Sequence, residues 1–86
     1  MPELSRFYGI VIRMFFNDHA PPHFHAYYGS DEALFTIENL SLFAGRLPPR
    51  ASGLVIEWAG LHQKELIEAW NKARSLEAPG SIAPLP

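Results

Sequence analysis

His23-Phe24-His25-Ala26-Tyr27-Tyr28-Gly29-Ser30-Asp31-Glu32-Ala33-Leu34-Phe35-Thr36-Ile37-Glu38 is the stretch whose reading decides the fold. Two runs rich in aromatic and apolar residues, His23 to Tyr28 and Glu32 to Glu38, flank Gly29-Ser30 and read as strands joined by a tight hairpin. Glycine supplies the positive φ that a type II′ turn needs at its first central position. A two-residue loop pairs Tyr28 with Asp31, Ala26 with Ala33, His25 with Leu34 and Phe24 with Phe35. Phe24, Ala26, Ala33, Phe35 and Ile37 then share an apolar face, and His23, His25, Tyr27, Glu32 and Thr36 share the opposite one. A one-residue slip would exchange the two faces, so the register carries the whole assignment.

Working outward, Phe7 to Phe16 reads as a preceding strand, β-branched and aromatic. Tyr8, Ile10, Ile12, Met14 and Phe16 form its apolar face, while Phe7, Gly9, Val11, Arg13 and Phe15 form a mixed one. Leu40 to Ala44, closed by Gly45, reads as a short fourth strand. Pro48-Pro49 opens a helix, since first-turn N–H groups have no intrahelical partner and proline loses nothing there. That helix is expected from about Pro49 to Arg74. Ala51, Leu54, Val55, Trp58, Leu61, Leu66, Ala69, Trp70 and Ala73 fall on one arc, with Glu57, Lys64, Glu68 and Asn71 opposite.

The predicted class is α+β: an antiparallel sheet of three or four strands, one face covered by one long C-terminal helix. Residues 1–76 form a single domain and residues 77–86 an extended Pro-rich tail, free to lie on the body or on a neighbour.

Between the first two strands lies Asn17-Asp18-His19-Ala20-Pro21-Pro22-His23-Phe24-His25, which holds three of the four histidines of the 86-residue chain. The diproline fixes φ and stiffens the loop. Imidazole titrates near neutrality and is the commonest metal ligand, so the segment is the candidate functional site. His23 and His25, two apart on a strand, point the same way and supply two ligands to one metal, with His19 or Asp18 as a third. A divalent cation on His19, His23 and His25 is one reading. The plainer one has these histidines capping the loop or stacking on aromatics. Arg13 and Tyr27 belong to the same expected exposed face. His62 falls near the middle of the helical arc beside Trp58, and reads as a structural histidine tying helix to sheet or loop.

Composition narrows the classes. With no cysteine, disulfides and thiolate metal sites are excluded. Nine acidic residues against seven Lys and Arg give a formal charge of −2, a poor match to a protein that neutralises phosphates. Cations, aromatics and imidazoles on an open sheet also suit single-stranded RNA, but the charge favours a protein partner. Ile56, Gly60 and Ile67 make a weaker apolar line on the helix, suited to a homodimer or partner contact. No apolar run approaches the ~20 residues that span a bilayer. The expected location is cytoplasmic. No Ser or Cys nucleophile adjoins a histidine in sequence, although a histidine pair acting as acid and base keeps an enzyme reading open.

The chain resembles a family of small bacterial proteins known only as domain of unknown function number four-one-six-zero. The resemblance rests on Ser5-Arg6-Phe7-Tyr8-Gly9-Ile10, Asn17-Asp18-His19, Pro21-Pro22-His23-Phe24-His25-Ala26 and Leu47-Pro48-Pro49-Arg50. Glu57-Trp58-Ala59, Leu61-His62-Gln63, Glu65-Leu66, Trp70 and the Ile82-Ala83-Pro84-Leu85 ending extend it. Phe35-Thr36 and Leu40-Ser41-Leu42-Phe43 depart from it, being more apolar than the family's acidic pattern. The resemblance implies a two-gene setting of the toxin–antitoxin or regulatory kind. It brings no catalytic residue, only the nomination of His19, His23, His25 and His62 as motif positions. Function is therefore expected to be that of a small binding module with a protein partner. The alternative is a histidine-dependent nuclease-type toxin or metal-binding enzyme.

Overall fold

The computed structural model describes residues 3–86; the first two residues of the expected 1–76 domain lie outside the described residues. Five strands, β1 (Glu3–Phe7), β2 (Ile10–Arg13), β3 (His23–Tyr28), β4 (Asp31–Thr36) and β5 (Leu42–Gly45), precede two helices, α1 (Pro49–Leu61) and α2 (Gln63–Arg74). The sheet is an antiparallel meander in chain order, β1 to β5. The α+β class and antiparallel pairing hold. The expected three or four strands become five, and the expected single helix becomes two.

The extra strand comes from a turn hidden in an apolar run. Tyr8 (φ 50°) and Gly9 (φ 80°) both take left-handed backbone. That pair of conformations twists a two-residue connection to match its flanking strands. The expected strand from Phe7 to Phe16 is thus a hairpin, pairing Phe7 with Ile10 and Arg6 with Val11. Its predicted apolar face survives only in part: Ile10, Ile12 and Met14 are buried, whereas Tyr8 at the turn and Phe16 beyond β2 are exposed.

The β3–β4 hairpin has the register read from the sequence, with Phe24 opposite Phe35 and His25 opposite Leu34. Gly29 takes φ 59° at the turn. Phe24, Ala26, Ala33, Phe35 and Ile37 are buried in the core beneath Trp58. Phe24 stacks on Phe35 at 5.7 Å and meets Trp58 edge-on at 5.9 Å.

The helix breaks at His62, whose φ of −128° leaves the helical region. Its N–H reaches only three residues back, to the Ala59 carbonyl at 3.1 Å, and Leu66 N–H restarts the helix on the His62 carbonyl at 2.9 Å. Glu65, in the first turn of α2, takes the His62 ring at 2.5 Å. The buried positions Val55, Trp58, Leu66, Ala69 and Ala73 stay in phase across the break, so periodicity alone shows one helix. Leu61, placed on the core arc from sequence, stands 65% exposed at the arc's margin.

The tail lies on its own body. Ile82 N–H donates to the Leu4 carbonyl at 2.7 Å and Trp58 Nε1 to the Ala83 carbonyl at 2.8 Å, while Ile82 and Leu85 are buried. Among the described residues, no helix is long and apolar enough to cross a membrane.

Candidate functional site

Both ends of the loop between β2 and β3 are fastened. Asn17 N–H donates to the Ala73 carbonyl near the end of α2, 3.1 Å away, and the Pro22 carbonyl accepts from Ile37 N–H at 3.0 Å. Pinned this way, the loop carries Asp18 over the start of β3. The Asp18 Oδ2 lies 3.0 Å from His23 Nε2 and 3.1 Å from His25 Nε2.

The remaining ring nitrogens are also engaged. His23 Nδ1 donates to the Pro21 carbonyl at 2.7 Å, and His25 Nδ1 lies 3.1 Å from Glu32 Oε2. His25 thus bridges two carboxylates. The edge of Phe15 packs against it at 4.3 Å, and Tyr27 lies nearly parallel to it at 6.4 Å. The Arg13 guanidinium sits 5.4 Å over the Tyr27 ring, and its Nε is buried without a hydrogen-bond partner.

Two effects oppose each other at Asp18. Partial burial alone would raise its pKa. The His25 hydrogen bond, the His19 backbone N–H on Oδ1 at 2.8 Å and the nearby charge of His23 and His25 together hold it below the ordinary value. Tyr27 is pushed up, first by burial and then by the Glu32 carboxylate, with Arg13 pulling the other way.

Of the residues nominated from sequence, Asp18, His23 and His25 come together, with one ligand atom from each lying within 4.8 Å of the others. Arg13 and Tyr27 flank them. His19 is exposed and contributes its backbone rather than its ring. His23 does not point out to solvent as alternation implied. It is 3% exposed, with Trp70 of α2 at 5.4 Å and Phe43 of β5 at 5.5 Å. The second helix reaches the loop end of the sheet and covers what a flat sheet would leave bare. His62 stands apart, packed on Trp58 at 5.5 Å and bonded to Glu65, so it joins α1 to α2 rather than helix to sheet.

Sequence reasoning missed Glu32 and Trp70 as members of the site. The Glu32 signal was present, because the register Tyr27 to Glu32 sets it diagonal to His25 on one face. The role of Trp70 was hidden among core positions of the helix.

Fold and site together define a small α+β protein with a histidine–aspartate centre at one end of its sheet. The chain belongs to the family described as Domain of unknown function (DUF4160), whose model matches residues 9–71 and so takes in every residue of that centre. No curated protein and no solved structure shows significant similarity to the chain.

Proposed function

We propose that this protein is a small cytoplasmic binding module that pairs with a second polypeptide along the open edge of its sheet, beside the histidine centre. The observation that carries this reading is the difference between the two sheet edges. On the β1 side the chain's own tail bonds to Leu4. On the β5 side Leu42-Phe43-Ala44-Gly45 is exposed throughout, apolar and uncharged. A bare strand edge is a ready template for another strand, and soluble proteins ordinarily guard such edges with charge, proline or a cover. The fitting occupant is an extended, apolar segment of a small partner protein, added strand-to-strand. Self-pairing would bring together only two four-residue strands, which favours a partner with more chain to lay down. Phe43 touches the His23 ring, so a strand on β5 would also close over the histidine centre. A two-gene setting of the toxin–antitoxin or regulatory kind supplies such a partner.

The test is affinity purification of the tagged chain from its native host, followed by hydrogen exchange on the complex. A stoichiometric partner that protects the Leu42–Gly45 amides, and is lost in Leu42→Lys, is the expected result. Recovery of the chain alone, or protection arising from a homodimer, overturns it.

A second reading is favoured by the convergence of two Nε2 atoms on Asp18. Here the chain is a histidine-dependent enzyme, such as a nuclease-type toxin. Expression should then arrest growth, and a folded His25→Ala variant should not. A harmless wild type, or a toxic variant, removes this reading.

A further inference from the structure

We infer that Asp18, His23 and His25 form a binding site for a divalent transition-metal cation of the zinc class. One nitrogen of each ring is already committed. The Pro21 carbonyl can only accept, so the His23 Nδ1 facing it at 2.7 Å carries the hydrogen. The Glu32 carboxylate can likewise accept from His25 Nδ1 at 3.1 Å. A neutral His23 therefore presents a bare Nε2 lone pair. So does a neutral His25 in the tautomer whose hydrogen faces Glu32 rather than Asp18, the two carboxylates lying at the same 3.1 Å from its ring nitrogens. Both Nε2 atoms nevertheless aim at one carboxylate oxygen, Asp18 Oδ2, at 3.0 and 3.1 Å.

Three electron-rich atoms facing one another repel unless positive charge lies among them. Two protons would serve, but they would make imidazolium cations of rings whose centroids are 5.2 Å apart, one of them 3% exposed. Those two like charges repel each other across the one carboxylate they share. One divalent cation supplies the same charge and leaves both rings neutral.

The spacing agrees. Zinc bonds to nitrogen and oxygen of about 2.0–2.2 Å put two ligands of a tetrahedral site roughly 3.3 Å apart. The two Nε2–Oδ2 separations are already within a few tenths of an ångström of that, and the two Nε2 atoms, within 4.8 Å of each other, have to close to the same spacing of about 3.3 Å as the cation binds.

The surroundings agree as well. Metal-bound histidines characteristically donate their other N–H to a carbonyl or carboxylate, which fixes the tautomer and the ring plane. Pro21 and Glu32 do this for the two rings, and the His19 N–H holds Asp18 Oδ1, leaving Oδ2 free to coordinate. Two imidazoles with one carboxylate suit zinc, cobalt, nickel or iron, whereas magnesium and calcium prefer all-oxygen shells. Three protein ligands leave a position for water or a substrate atom. This deepens the second reading above, but the site is tested by binding alone, whatever reaction the chain performs.

The experiment is titration of chelator-stripped full-length protein with Zn²⁺ by calorimetry, and with Co²⁺ by visible absorption. One saturable equivalent and the ligand-field bands of a low-coordinate Co²⁺ are expected. Asp18→Asn, on the partly exposed loop, and His25→Gln should each weaken binding by about 100-fold or more, while Glu32→Ala weakens it by about 10-fold as an outer-sphere partner. His19→Ala and His62→Ala should leave it unchanged. Circular dichroism in chelator confirms that each variant is folded, and Asp18→Asn serves if His25→Gln is not. Absence of saturable binding, binding that survives both ligand substitutions, or equal loss in His19→Ala overturns the assignment. Metal binding without toxicity would retain the site and discard only the enzyme reading.

Discussion

His23 lies against Trp70 with ring centroids 5.4 Å apart and planes inclined at 49°. The histidine centre is therefore seated on the second helix as well as on the sheet. Trp70→Ala should cost about 3–5 kcal/mol, as for other large-to-small aromatic core changes. It should also loosen the loop that carries Asp18. Denaturant unfolding reads the first effect, and exchange of the His23 and His25 ring signals by NMR reads the second. Trp70→Phe should preserve most of both.

Two glycines should respond with opposite sign. Gly45 takes φ 70°, and a Cβ there would collide with the Glu32 carbonyl oxygen. Gly45→Ala should lose about 2 kcal/mol or more through left-handed strain and displacement of the β4 backbone. Gly53, inside α1, has open space where an alanine methyl would stand, with nothing within 4 Å. Gly53→Ala should gain roughly 0.5–1 kcal/mol from helix propensity. Paired urea melts check both.

The depressed pKa of Asp18 sets an acid limit. A carboxyl with a folded pKa below its unfolded value contributes stability that is complete above the unfolded pKa, about 4. That contribution disappears as pH falls through the lower folded value. In chelator, the wild type should lose thermal stability below about pH 4 faster than Asp18→Asn. At neutral pH the variant should be the less stable of the two. Parallel acid-limb slopes for the two proteins would count against the ion-pair account of Asp18.

The tail works as a strap on the β1 side. Ile82 is buried while its N–H bonds to Leu4, and Trp58 bonds to Ala83 one residue on. Ile82→Ala should cost about 2 kcal/mol by losing buried apolar surface. Hydrogen exchange should then speed up in the Glu3–Phe7 strand before it does so in the β3–β4 hairpin.

Much of this protein is legible locally. The β3–β4 register follows from a two-residue turn and strict alternation, and both the start of α1 at Pro49 and the end of α2 at Arg74 match expectation. The hairpin of β1 and β2 was concealed because Tyr8-Gly9 sits within an otherwise apolar run, where a turn and a strand share the same residue types. The break at His62 was concealed because the buried positions on either side remain in one helical phase. Of the site, the histidines and Asp18 stood out by clustering, and Glu32 was on their face without being singled out.

By itself the sequence determined the α+β class, the hairpin pairing and the loop in which the functional side chains lie, because turn chemistry and alternation act over a few neighbouring residues. Only the tertiary structure decided which members of that loop meet. Alternation sent His23 outward, yet α2 and β5 bury it, since a strand's two faces are defined locally but covered by elements distant in the chain. Asp18 rather than the His19 ring joins His23 and His25 because the loop is pinned to Ala73 and Ile37, which lie far from it in sequence.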